Sequence, residues 1–121
     1  MTTINVEVYN NKTYQTVYKM DELFDHLKDE ADNNRLTVIM PNTDHLFAGL
    51  VTNVTKTAES INADVNILDN VQGKVLKALV DAGVKLKYSV SARGAAVMEA
   101  GEPIREVLKI DKVFGIRVDA A

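Results

Sequence analysis

Apolar and polar positions alternate with period two over several stretches of this chain, and with a helical period over two others. Ile4 to Tyr9 alternates, with Ile4, Val6 and Val8 against Asn5, Glu7 and Tyr9, and predicts a strand. Asn10-Asn11-Lys12 reads as a turn and Thr13 to Tyr18 as a short second strand. Asp21 is placed to cap a helix through about Asn33, with Leu23, Phe24, Leu27 and Ala31 on its buried side, and Asn33-Asn34 ends it. Arg35 to Met40 predicts the next strand, which Pro41 stops, and Pro41 to His45 is a polar loop. Phe47 to Thr57 and Ser60 to Leu68 predict two long strands joined by a tight turn near Ala58-Glu59. Asn70 caps a second helix that runs to about Ala82, with Val71, Val75, Leu76, Leu79 and Val80 as its apolar stripe and Gly83 at the left-handed position after it.

The stretch Lys85 to Gly94 organises the rest. Leu86, Tyr88, Val90 and Ala92 fall on one face of a strand and Lys85, Lys87, Ser89 and Ser91 on the other. This predicts that Ser91 stands on the polar side, near the strand end, with flexible Gly94 just beyond. A rigid strand that holds a hydroxyl toward water can carry a nucleophile; an ordinary serine on a solvated face gives the same pattern. Ala95 to Gly101 turns into Ile104 to Ile110, and Val113 to Val118 is the last strand. Together these elements predict a single α+β domain over 1–121, a mostly antiparallel, strongly bent sheet or barrel of about seven strands with two helices.

Charge and composition narrow the classes. The net charge of −3 argues against nucleic acid as the main partner, because counterion release needs a basic face. No apolar run approaches the ~20 residues of a membrane span, and Met1 to Asn5 lacks the regions of a signal peptide. With no cysteine there is no disulfide and no thiolate metal site. The expectation is an intracellular protein without metal or cofactor. His26 lies among the charged residues of the first helix and reads as solvated. His45 sits in a loop after a proline and beside Asp44, where function concentrates. Ser91 and His45 form a conceivable nucleophile and base that only the fold can bring together.

From His45 to the C-terminus the chain resembles the prohead maturation proteases of tailed bacteriophages, which share a fold with the herpesvirus capsid protease. The residues that carry the resemblance are Asp44-His45, Gly49 to Val54, Ala63 to Leu68, Gly73-Lys74-Val75-Leu76-Lys77-Ala78-Leu79, Gly83-Val84-Lys85-Leu86 and Ser91-Ala92-Arg93-Gly94. The resemblance implies that Ser91 is the nucleophile, His45 the general base, and Arg93 and Gly94 neighbours of the oxyanion or substrate. It implies scaffold and capsid proteins as partners, inside a procapsid or virion in the host cytoplasm. Self-association stays open.

The chain departs from that family in three ways. Phe114-Gly115-Ile116-Arg117-Val118 stands where the family has an aspartate in a Phe-Asp-x-Val strand before a proline, which leaves Asp111, or less well Asp119, as the third catalytic group. Ser89 replaces a glycine that commonly precedes the catalytic strand end, and 121 residues is short for the family. A second function therefore stays open: an inactive relative that keeps the protease fold as a structural or decoration protein of the capsid.

Overall fold

The computed structural model describes residues 2–13, 17–40, 47–99 and 102–121, with the backbone alone for 17, 95–99 and 102–109. Among the described residues, seven strands and two helices follow in the order β1 (Thr2–Asn10), β2 (Val17–Tyr18), α1 (Met20–Asp32), β3 (Thr37–Ile39), β4 (Phe47–Lys56), β5 (Ser60–Ile67), α2 (Val71–Asp81), β6 (Leu86–Glu99) and β7 (Glu102–Ala120). Six of the strands form a mixed, mostly antiparallel, strongly curled half-barrel. Their order is β1-β5-β4-β3-β7, with β6 on the other side of β7; the two-residue β2 pairs parallel to β7 at Glu106 and Val107. The α+β class, the bent sheet and the two helices match the sequence expectation.

The alternating stretches became strands because one face of each enters a common core. On β5, Ile61, Ala63, Val65 and Ile67 are buried, and the residues between them are half-buried. They meet Val6 and Val8 of β1, Val51 and Val54 of β4 and Leu23, Leu27 and Ala31 of α1. Burying such side chains is the main favourable term in folding. No polar side chain is buried among the described residues.

Both helices stop in the same way. Asn34 takes φ 57° and Gly83 φ 76°, the left-handed conformation after a helix C-cap. Arg35 N–H then donates to Glu30 O and Asn34 N–H to Ala31 O, while Val84 N–H donates to Leu79 O and Gly83 N–H to Val80 O. Asn70 caps α2, its Oδ1 accepting from Gly73 N–H at 2.7 Å. Asp21 does not cap α1. Lys19 holds the N-cap position with no side-chain bond, and Asp21 lies in the first turn, paired with Lys56. There it is favourable by its charge at the positive helix end.

The apolar stripe expected on α2 is only half used. Leu76 is buried and Leu79 and Val80 pack against the core, but Val71 is 71% and Val75 48% exposed. The helix meets the sheet along an edge narrower than its apolar face. The turns expected after Gly94 and near Asp111 are also absent: β6 runs on to Glu99, and β7 is one strand from Glu102. Irregularities in their ladder absorb the breaks in alternation that read as turns.

Candidate functional site

Ser91 lies within β6, not near its end. The outward face of β6 carries Lys87, Ser89, Ser91 and Arg93, while Tyr88 points inward and is buried. Across the ladder, Lys87 faces Asp119, Ser89 faces Arg117, Ser91 faces Gly115 and Arg93 faces Lys112. β7 skips Phe114 between Gly115 and Val113, and Asp111 between Lys112 and Ile110. These two bulges keep Val113 and Ile110 buried while the outward row stays in register. Ser91 is half-buried, and among the described residues its hydroxyl has no hydrogen bond. Gly94 is an exposed member of the strand and supplies no flexible end.

Gly115 is the tightest point of the row. Its φ is 154°, and a Cβ there would lie 2.9 Å from Ile39 Cδ1 and 2.9 Å from Thr37 O. Strand β3 presses on it from the side opposite Ser91, with Val38 paired to Ile116 and Ile39 to Arg117. A side chain at position 115 thus fits only if β3 shifts.

His45 lies outside the described residues, which resume at Phe47. The described ends of its segment are Met40 and Phe47. Ile39 is the partner of Phe47 across β3 and β4, so Phe47, Ile39, Arg117 and Ser89 form one level across four consecutive strands, and Ser91 lies two residues from it, on the side away from the end at which the chain leaves Ile39. Three strand steps are roughly 14 Å across a flat sheet and less across a curled one.

The carboxylates are distributed less favourably. Strand β3 is parallel to β7, so the chain leaves Ile39 toward Val118 and Asp119. Asp111 is six positions (117 − 111) back from Arg117, roughly 20 Å along an extended strand. The fold does not bring Asp111 to the end of β7 beside which the His45 segment begins. Asp119, half-buried and opposite Lys87, stands nearer to it.

Two residues of this face escaped the reading of the sequence. Arg117, which alternates with buried Ile116 and Val118, and Lys112 flank the Ser91 level on the outward side, and the bulge at Phe114 breaks the parity between them, so no single alternation along β7 assigns both to it. Elsewhere, burial raises the Tyr88 hydroxyl above its usual range, and burial with the neighbouring Tyr9 does the same for Tyr18. Both are inner, structural groups. Among the described residues no three His, Asp or Glu side chains gather as a metal site, and no helix is long and apolar enough to cross a membrane. No protein-family model, no curated protein and no solved structure matches the chain.

Proposed function

We propose that the chain is a serine endopeptidase of the prohead-protease kind, cleaving scaffold and capsid proteins within the procapsid. The observation that supports it best is that Ser91 stands without a hydrogen bond among the described residues on the outward face of β6, in the same sheet as β3 and β4, the strands that flank His45 along the chain. In this reading His45 takes the proton of Ser91 as the oxygen attacks the scissile carbonyl. It returns that proton to the leaving amine, giving an acyl-enzyme that water resolves. Backbone N–H groups near Arg93 and Gly94 receive the oxyanion, usually a large contribution to such catalysis. Gly115 supplies no carboxylate, and losing that group from a triad costs about 10⁴ in turnover. The acid is then left to Asp119, and an enzyme without it there is a slow one.

The closed position at Gly115 favours a second reading, an inert capsid protein that keeps the protease fold. A serine-directed phosphonate separates the two. The enzyme is labelled at Ser91, and both Ser91→Ala and His45→Ala abolish labelling and scaffold cleavage while melting temperature barely moves. An unlabelled wild type, with Ser91→Ala particles that mature normally, would leave only the inert protein.

A further inference from the structure

The outward face of β6 and β7 carries three cations that are in no ion pair among the described residues. Arg117 stands opposite Ser89, and Lys112 opposite Arg93, so positive charge borders the Ser91–Gly115 pair on both sides. All three are exposed. Lys112 Nζ rests 5.5 Å from the centre of the Phe114 ring, which holds it over the strand. This charge is conspicuous in a chain of net −3.

Among the described residues the acids do not pair with these cations: Asp111 beside Lys112 and Asp119 two residues from Arg117 are in no ion pair, and most of the others are engaged elsewhere. On α1, Asp21 is paired with Lys56, Asp29 and Glu30 with Arg35, and Asp32 with Lys28. Glu22 accepts the backbone N–H of Ile110 at 2.7 Å. A second copy would therefore offer mostly carboxylates that are already engaged.

We infer that this face docks an extended acidic segment of another protein, with carboxylates four residues apart. Ser89 to Arg93 covers about 13 Å of strand, and an extended peptide laid along it advances at the same rate per residue. Its first carboxylate meets the Arg117 guanidinium and its second meets Arg93 and Lys112, with the middle of the segment over Ser91. Arginine is suited to the task because its planar fork can grip a carboxylate through two hydrogen bonds. Three cations on an acidic protein are too few for strong nucleic-acid binding, which grows with the number of phosphates neutralised. The docking holds for an active protease and for an inert capsid protein alike.

The test is fluorescence anisotropy of a labelled Glu-Ala-Ser-Ala-Glu peptide with the full chain carrying Ser91→Ala, so that no cleavage intrudes. Binding is expected at low salt and weakens as salt rises, because exposed charges are screened. Arg117→Gln and Lys112→Gln each weaken it about fivefold, the upper end for an exposed ion pair. Lys74→Gln on α2 leaves it unchanged, and thermal melts confirm that every variant is folded. Equal binding of the Gln-Ala-Ser-Ala-Gln peptide overturns the inference, as does tighter binding of a short single-stranded oligonucleotide. Phosphonate labelling of the wild type reads the protease proposal separately, so the two can fail independently.

Discussion

Ser91 and Gly115 are direct partners across β6 and β7, and the glycine cannot be given a side chain without displacing Ile39 or the Thr37 carbonyl. The outward row therefore sets a hydroxyl opposite bare backbone in a conformation that suits glycine.

Placing an acid at that position should fail. Gly115→Ala and Gly115→Asp each combine backbone strain with a clash against β3, and together these cost roughly 2–4 kcal/mol. Urea unfolding should show a lower midpoint for both, with no gain in phosphonate labelling for the aspartate. A midpoint equal to wild type would mean that β3 moves aside freely.

The two remaining carboxylates of β7 should behave differently in an active enzyme. Asp111 is remote from the end of β7 where the His45 segment begins, so Asp111→Asn should leave single-turnover acylation within about twofold of wild type, as for a distant surface change. Asp119→Asn should slow it more. The reverse order, measured on the same scaffold substrate, would show that the segment folds back along β7.

Asn70 ties α2 to the strand that follows the His45 segment. Its Oδ1 accepts from Gly73 N–H, and its Nδ2 donates to Phe47 O at 2.8 Å. Asn70→Ala loses both bonds, about 1–2 kcal/mol, whereas Asn70→Asp keeps the cap and loses the bond to Phe47. Denaturation midpoints should fall in the order wild type, Asp, Ala.

Alkali should destabilise the fold through its inner tyrosines. Tyr18 and Tyr88 titrate above the ordinary value of 10.0, so the unfolded chain releases their protons first. Their contribution is complete below pH 10 and is lost as pH rises through the folded-state values. Stability measured by urea titration should fall from about pH 10 upward. Tyr88→Phe should flatten that fall; an unchanged slope would assign it to other groups.

Much of the architecture is legible in the residues themselves. The period-two alternation of Leu86 to Ala92 determined which side of β6 enters the core, because successive side chains of a strand must point oppositely. Asn70 and Gly83 marked the ends of α2, since a side-chain acceptor and a residue tolerant of positive φ are what helix ends require. The late strand resisted the same reading. Ile110 to Val118 loses its alternation at Asp111 and Phe114, and a bulge and a turn look alike until the partner strand is known.

The sequence by itself determined the α+β class, the faces of the strands and the presence of a serine on a polar strand surface. Only the tertiary structure decided that Ser91 faces Gly115, that Ile39 closes the space above that glycine, and that Arg117 and Lys112 share the serine's side of the sheet. The physical reason is that alternation is a local property of one strand. Register is set by bulges and by neighbours that lie far away along the chain, as Thr37 and Ile39 lie from Gly115.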